Sequence, residues 1–272
     1  MLQVLPLKVG DAIYHKIQER SFKSIDQNLR SNKASWKLIS RILSNNFISL
    51  EGAQVIEIGS GWLPLMPYLF KTEGNVKKVF TYDINAHYNK DNIARINTYF
   101  NNSSEGAQGE LPDFIEYFPR TNVATTRLPN NIDFCFSRFV LEHVPPEAIK
   151  AMHQRFFDEM KEGAYVLHLI SPSDHRAYSD SSLSYYDFLK YSQKQWDAIQ
   201  TRFDYHNRLR LPQYVELFEE IGFKIVYLDY DQPKKDSVKY KMFKHLKLHE
   251  DFAKYTEEEI LAGSINVLLQ KP

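Results

Sequence analysis

The chain has 272 residues, 43% of them hydrophobic, which is enough for one sizeable hydrophobic core and an additional lobe. Its 34 Lys and Arg residues balance 34 Asp and Glu residues, and the formal net charge of zero argues against a general nucleic-acid-binding protein. Cys135 is the only cysteine, which excludes an intrachain disulfide framework and a cysteine-based zinc site.

The first part of the chain has a helical pattern. Apolar residues, among them Ile13, Ile17, Trp36 and Ile39, recur at three- and four-residue spacings over residues 11–47. Because this segment precedes the first predicted strand, we expect residues 1–50 to form a helical cap over the mouth of a sheet.

Beyond residue 50, apolar runs of strand length alternate with helical patterns. The predicted strands are Gln54–Ile58, Lys77–Tyr82, Phe114–Phe118, Ile132–Ser137, Ala164–Ile170, Phe223–Leu228 and Ser264–Gln270. The predicted helices are Asp91–Phe100, Pro145–Met160 and Leu211–Ile221, with a further helix running to about Leu261. This alternation predicts an α/β fold with a parallel, doubly wound sheet.

Residues 172–210 interrupt this alternation. Ser, Asp, Tyr, His and Arg dominate the segment, and it has no long apolar repeat. A long polar stretch between two core elements is typical of a functional insertion or a lid. The predicted organisation is therefore a core at 51–171, a substrate lid at 172–210 and the C-terminal part of the core at 211–272.

The stretch Val55-Ile56-Glu57-Ile58-Gly59-Ser60-Gly61 joins an apolar strand to a glycine turn and a helix start. This geometry brings backbone N–H groups up to a nucleotide-like ligand. A dinucleotide site requires a third glycine where this chain has Pro64, and the Glu57 carboxylate would repel a pyrophosphate. Both features favour a ligand with an ammonium group and without phosphate, and they argue against an NAD-dependent reductase.

The glycine turn resembles motif I of class I S-adenosylmethionine (SAM)-dependent methyltransferases. Asp83 follows Gly61 by 22 residues, where that family places an acid for the ribose hydroxyls. The segment 137–144 is similar to the one after the fourth strand of small-molecule members, and 218–223 is similar to their last helix-to-strand turn. The resemblance covers about 50–171 and 211–270. It implies a Rossmann-like, seven-stranded, mostly parallel sheet with an antiparallel last strand, and SAM as the cofactor.

The resemblance also implies the cofactor-binding residues. They are Glu57, Gly59, Ser60, Gly61, Asp83, Ile84, Asn122 and Ser137. The alternative to cofactor binding is, for the glycines, an ordinary strand-to-helix turn. For Asp83 it is an N-cap of the next helix. The sequence departs from the family at two places. Trp62-Leu63-Pro64 replaces the usual third small residue of motif I, and residues 122–129 lack the acid that the family often has before the adenine-side loop. Asn122 and Thr125 are the candidates there for a hydrogen bond to adenine.

Histidines and arginines near the predicted lid are candidates for the acceptor side. His175 beside Asp174 is the first choice for a general base and His206 the second, the alternative being a surface pair in a polar loop. Arg208 and Arg210 would suit an anionic substrate, the alternative being a solvated helix start. Asp174 is itself a further candidate for substrate binding.

Arg138 and His143 lie at the end of the fourth predicted strand and are further candidates for substrate binding. For His143 we expect a structural role rather than a catalytic one. No metal is predicted, because His143, His153, His168 and His175 are scattered over different elements.

The predicted function is transfer of a methyl group from SAM to an oxygen, nitrogen or carbon of a small molecule or glycan. Residues 174–210 are similar to bacterial methyltransferases of surface-polysaccharide biosynthesis, which favours a glycan. A non-catalytic SAM-binding or partner-binding module is the alternative. No nucleic acid partner is expected. The absence of an apolar run of ~18 residues and of a basic N-terminal start predicts a cytoplasmic protein without a membrane span.

Overall fold

The computed structural model describes residues 24–100, 109–201 and 205–272, so the predicted pattern at Ile13 and Ile17 lies outside it. The strands are β1 (Gln54–Ile58), β2 (Lys78–Asp83), β3 (Ile115–Pro119), β4 (Phe134–Arg138), β5 (Tyr165–Ile170), β6 (Lys224–Tyr230) and β7 (Ile265–Gln270). The α-helices are α1 (Ile25–Asn45), α2 (Leu65–Gly74), α3 (Lys90–Tyr99), α4 (Pro146–Glu159), α5 (Gln193–Ile199), α6 (Leu211–Ile221), α7 (Val238–Lys244) and α8 (Glu257–Leu261).

The strands form one seven-stranded sheet in the order β3-β2-β1-β4-β5-β7-β6. The pairs among β1 to β5 are parallel, whereas β7 is antiparallel to both β5 and β6. This arrangement confirms the predicted doubly wound, mostly parallel sheet with an antiparallel last strand. The strand order reverses between β1 and β4, which leaves a crevice at their carboxyl ends.

Helices cover both faces of the sheet, which is why β1 is buried at every position after Gln54. Side chains of successive strand residues point to opposite faces. Val55 packs with Ile39 of α1 and Phe70 of α2 on one face. Ile56 packs with Phe156 of α4 on the other. Among the described residues, none of the helices combines the length and apolar character that a membrane crossing requires.

Helix α1 is the part of the predicted cap that the structure describes. Ser24 begins it with a capping box to Gln27, and its buried side chains recur at helical spacing. Trp36 contacts the ring of Phe70 edge-on, with centroids 5.3 Å apart. Near the start of α1, the Ser31 hydroxyl oxygen accepts a hydrogen bond of 2.5 Å from Arg138 Nη2. The helix therefore reaches from one face of the sheet to the edge where β4 ends.

Residues 172–210 and the segment after β6 share a hydrophobic cluster, which we call the satellite core. Its buried members are Tyr186, Phe188, Leu189, Trp196, Phe243, Phe252, Ile260 and Leu261. These residues come from short elements, so no long apolar repeat is visible in the sequence. The helix predicted to run to Leu261 is instead divided into α7, a 3-10 turn at Glu250–Phe252 and α8, because Thr256 caps the start of α8.

Candidate active site

Two cavities open at the carboxyl ends of β1, β2 and β4. The larger has a volume of about 560 Å³, and we call it the edge cavity; its lining includes Ile58, Asp83, Ile84, Asn122, Phe139 and His143. The smaller has a volume of about 180 Å³, and we call it the inner cavity; its lining includes Asn28, Asn32, Glu57 and Trp62. Gly59, Gly61 and Arg138 line both. The predicted glycine turn therefore lies between the two cavities.

The two glycines of the turn have left-handed backbones and different surroundings. Gly59 has a φ of +79°, and a Cβ atom there would overlap the Val140 side chain. Gly61 has a φ of +59°, and a Cβ atom there would meet nothing within 4 Å. Gly59 is therefore required by the close approach of the segment after β4, whereas Gly61 leaves the backbone open toward the cavities.

Glu57 is a buried acid beside the inner cavity, with a relative exposure of 3%. Its Oε2 accepts a hydrogen bond of 2.5 Å from the Thr81 hydroxyl. Burial raises the pKa of Glu57 to about 8, although Thr81 and the charge of Arg138 act in the opposite direction. A cationic group in the inner cavity would favour the ionised carboxylate.

Asp83 ends β2 and is held by three neighbours. It accepts hydrogen bonds from the Ser60 hydroxyl at 3.1 Å and from the Asn85 backbone at 2.8 Å, and His87 Nε2 lies 3.6 Å from its Oδ1. Ser60 thereby ties the glycine turn to Asp83. The N-cap of α3 is Asn89, so Asp83 caps only its own loop and not that helix.

The walls of the edge cavity are largely apolar. Ile84 is 73% exposed there, and Val123 and Met152 also contribute. Phe139, which the sequence analysis missed, has a φ of +55° and is 44% exposed. A bulky residue in the left-handed region is uncommon and occurs most often at functional sites. Asn122 lines the cavity, whereas Thr125 is not in its lining.

Arg138 and Trp62 shape the inner cavity. Burial lowers the pKa of Arg138, and the charge of Glu57 opposes that shift. The Arg138 guanidinium lies over the Phe139 ring, 4.7 Å from its centroid. Trp62 contacts the ring of His87 with centroids 4.6 Å apart. The indole is thus held at the side of the inner cavity and leaves its volume open.

Ser137 lies beneath the site and does not line either cavity. Its side chain is fully buried, and its Oγ is 2.6 Å from His168 Nδ1. His168 Nε2 is 2.8 Å from His153 Nε2, and His153 Nδ1 is 2.7 Å from the Ile149 carbonyl. The Ile149 carbonyl can only accept, so His153 Nδ1 donates to it. His168 Nε2 then donates to His153 Nε2, and the Ser137 hydroxyl donates to His168 Nδ1. Its prediction as a cofactor contact is therefore corrected: the hydroxyl is used internally.

Three histidines meet at one side of the edge cavity, and we call them the histidine cluster. The ring centroids of His143 and His206 are 4.4 Å apart, those of His175 and His206 4.1 Å, and those of His143 and His175 5.0 Å. They come from three separate segments of the chain. The prediction that the histidines are scattered is therefore wrong for two of the four that it named, because the fold brings His143 and His175 together with His206.

Asn207 holds this cluster together, and the sequence analysis missed it. Its Nδ2 donates hydrogen bonds to the carbonyl oxygens of Leu141 at 2.6 Å and Val144 at 2.8 Å, and its backbone N–H donates to the Glu142 carbonyl at 2.8 Å. The segment that carries His206 is thereby fixed against the turn that carries His143.

Asp174 does not orient His175. It has a relative exposure of 1%, and both of its oxygens accept from the guanidinium of Arg176, at 2.9 and 2.6 Å. The predicted Asp174–His175 pair is therefore corrected: the acid forms a bidentate ion pair with Arg176 and caps the turn that begins at His175.

Arg208 and Arg210 are also structural. Arg208 donates to the carbonyl oxygens of Phe188 and Tyr191. Arg210, with a relative exposure of 1%, donates to the Pro172 carbonyl at 2.8 Å and to the Arg208 carbonyl at 3.2 Å. The prediction of Arg210 as a substrate contact is corrected, because its guanidinium is buried and already binds backbone carbonyls. Arg208 also lines a separate cavity of about 580 Å³, and its role as a substrate contact stays a prediction.

Replacing Arg210 by methionine is expected to lower the free energy of unfolding by roughly 2–4 kcal/mol, because buried carbonyls lose their donor. Urea unfolding measures this change, with Arg95→Met on the exposed side of α3 as the matched control. A variant of unchanged stability that fails only to bind an anionic ligand would restore Arg210 as a substrate contact.

Methyltransferases are among the solved structures similar to this chain. A SAM-dependent methyltransferase from Methanosarcina mazei is 15% identical, with a TM-score of 0.50 over 84% of this chain and 96% of that one. Phosphoethanolamine N-methyltransferase 2 from Haemonchus contortus, solved with SAM, is 17% identical, with a TM-score of 0.51 over 87% of this chain and 53% of that one. The same enzyme with phosphomonomethylethanolamine and S-adenosylhomocysteine has a TM-score of 0.52 at 16% identity.

No protein-family model matches the sequence, and no curated protein matches it. The strand order, the antiparallel β7 and the similarity to these solved structures agree with one another. The chain has the fold of the class I SAM-dependent methyltransferases.

Proposed function

We propose that the protein binds SAM and transfers its methyl group to an oxygen, nitrogen or carbon of a small molecule or glycan. The observation that carries this proposal is the position of Glu57 and Asp83 on either side of the open glycine turn, each beside a cavity. A buried carboxylate disfavours a phosphate and favours an ammonium group, and a second carboxylate suits ribose hydroxyls.

The edge cavity would hold the adenosine part of the cofactor. Asp83 would accept hydrogen bonds from the ribose, and the apolar side chains of Ile84 and Phe139 would contact the adenine ring. Asn122 lines the same cavity and offers an amide to the edge of the base.

The inner cavity would hold the methionine part. Glu57 would bind the ammonium group, and Arg138, beside it, suits the carboxylate better than the acceptor. Asn28 and Asn32 of α1 also line this cavity and offer amide groups to the methionine part.

When bound, SAM supplies an activated methyl group on a sulfonium, and the protein has to orient the acceptor and keep the pocket dry. His143 lines the edge cavity, and the acceptor would approach from the side of the histidine cluster. For an oxygen acceptor, His175 is the first choice for the group that takes up the hydroxyl proton and His206 the second.

Calorimetric titration with SAM and with S-adenosylhomocysteine tests the proposal. We expect binding in the micromolar range, as is common for enzymes and their substrates, and a weakening of roughly 10–100-fold in Asp83→Ala, because charge-assisted hydrogen bonds are lost. Asp236→Ala removes an exposed acid elsewhere and should bind like the wild type.

Absence of SAM binding by the wild-type protein would overturn the proposal. Binding without formation of S-adenosylhomocysteine from any hydroxyl, amine or carbon acceptor would favour the non-catalytic module instead.

A further inference from the structure

We propose that His143, His175 and His206 bind one divalent transition-metal ion of the zinc type at the acceptor side of the edge cavity. One donor nitrogen from each of these histidines lies within 4.8 Å of the other two. Three histidine ligands with an open fourth position are typical of catalytic zinc sites. Neither the fold nor the proposed methyl transfer requires such an ion.

The spacing of the nitrogens is close to what a metal requires. A tetrahedral ion with Zn–N distances of about 2.0–2.1 Å places its nitrogens about 3.3 Å apart. The longest separation in the cluster therefore has to shorten by about 1.5 Å. His206 is 3% exposed and fixed, whereas His143 is exposed and His175 is partly exposed, so these two rings have room to turn toward it.

The hydrogen bonding of His143 sets its tautomer. Its Nδ1 lies 3.1 Å from the Tyr205 carbonyl oxygen, which can only accept. The proton of the neutral ring is therefore on Nδ1, and Nε2 carries the lone pair that a metal requires. Metal-ligating histidines donate their second ring N–H to a carboxylate, a backbone carbonyl or water, and the Tyr205 carbonyl is such a partner.

The backbone around the other two histidines is held in place. Trp196 Nε1 donates a hydrogen bond of 2.9 Å to the His206 carbonyl, and Asn207 fixes the next residue to the turn at 141–144. The Asp174–Arg176 ion pair anchors the start of the turn that carries His175. A site whose supporting groups are already fixed loses little entropy on binding a metal.

The charge of the site indicates its ligand. Three neutral imidazoles bring no negative charge to a divalent ion. Two acids adjoin these histidines in sequence: Asp174 pairs with Arg176, and Glu142 is buried, with a relative exposure of 1%. The open position would thus favour an oxygen that can lose a proton, such as an alcohol, phenol or carboxylic acid.

If the proposed methyl transfer holds, on which this last step rests, the acceptor is a hydroxyl compound. Its proton passes to solvent, its oxygen forms the bond to the methyl carbon, and the electron pair of the broken S–C bond remains on sulfur. His175 and His206 would then act as ligands of the ion and not as bases.

The test is a titration of metal-free, untagged full chain with Co²⁺, followed by visible absorption, and with Zn²⁺, followed by calorimetry. We expect one ion per chain, tetrahedral Co²⁺ bands, and at least a 100-fold loss of affinity in His143→Ala and in His175→Ala. His245→Ala, which removes an exposed histidine of the α7 C-terminus, should bind like the wild type.

His143→Ala changes an exposed residue and is expected to keep the fold, which circular dichroism checks; His143→Cys should recover part of the affinity with a shifted Co²⁺ spectrum. Absence of saturable Co²⁺ binding, or equal losses in His245→Ala and His143→Ala, would overturn the site. SAM titrations on the same samples separate the two proposals, because metal binding without SAM binding overturns only the methyltransferase function.

Discussion

Replacing Gly59 by alanine is expected to abolish SAM binding and to lower the free energy of unfolding by roughly 2–4 kcal/mol. The Cβ atom would come within 3.0 Å of Val140, whose β-branched side chain is stiff and packs against the core. The φ of +79° adds the strain of a left-handed backbone. Because the turn separates the two cavities, any shift that relieves the overlap also moves the cofactor site.

Gly163→Ala is the matched control for this prediction. Gly163 has a φ of +76°, but a Cβ atom there would meet nothing within 4 Å, and the residue lies before β5, away from both cavities. We expect it to cost about 1–2 kcal/mol and to leave SAM affinity unchanged. The double variant Gly59→Ala/Val140→Ala should regain part of the lost stability. If urea unfolding gave equal losses in the free energy of unfolding for Gly59→Ala and Gly163→Ala, the overlap with Val140 would have no effect on stability.

Replacing Glu57 by glutamine is expected to weaken SAM binding by roughly 100-fold or more, because the ammonium group loses a buried charged partner. The same change should stabilise the cofactor-free protein at pH 8. The folded-state pKa of about 8 lies above the ordinary value of 4.5. The stability contributed by this carboxyl group is therefore fully present below pH 4.5 and is lost as the pH rises through 8.

The gain in free energy of unfolding of Glu57→Gln at pH 8 should exceed its gain at pH 5 by roughly 2–4 kcal/mol. Urea unfolding at the two pH values measures this difference. Glu116→Gln, which changes an exposed acid of β3 paired with Lys78, should differ little from the wild type at either pH. Unchanged SAM affinity in Glu57→Gln would remove this carboxylate from cofactor recognition.

The fold was predictable because strands and helices have different periods. The apolar residues Val55, Ile56 and Ile58 of β1 and the helical spacing in α1 follow from local sequence, and all seven predicted strands are present. The satellite core was not predictable in this way. Its members come from elements of three to seven residues, and only tertiary contact makes them one cluster.

The site was predictable where its residues are close in sequence. Glu57, Gly59 and Gly61 lie within five positions, and Asp83 ends the next strand. Polar residues of the insertion were misinterpreted because a sequence does not show which carbonyls need donors. Arg210 binds a carbonyl 38 positions earlier, at Pro172.

The histidine cluster could not be predicted for the same reason, because it depends on contacts between distant parts of the chain. Asn207 binds the Leu141 carbonyl 66 positions away. Distances of this kind along the chain leave no local periodic signal, so neither the meeting of the histidines nor the role of Asn207 could be read from spacing.

The satellite core determines which pieces of this chain can be exchanged with a related enzyme. Half of its buried side chains come from the insertion and half from residues 243–261. If residues 172–210 alone were transplanted, their apolar side chains would not fit those of the recipient protein. A working chimera has to carry 172–210 together with the connection between β6 and β7. A property carried by residues 172–210 is thus transferred only together with residues 243–261.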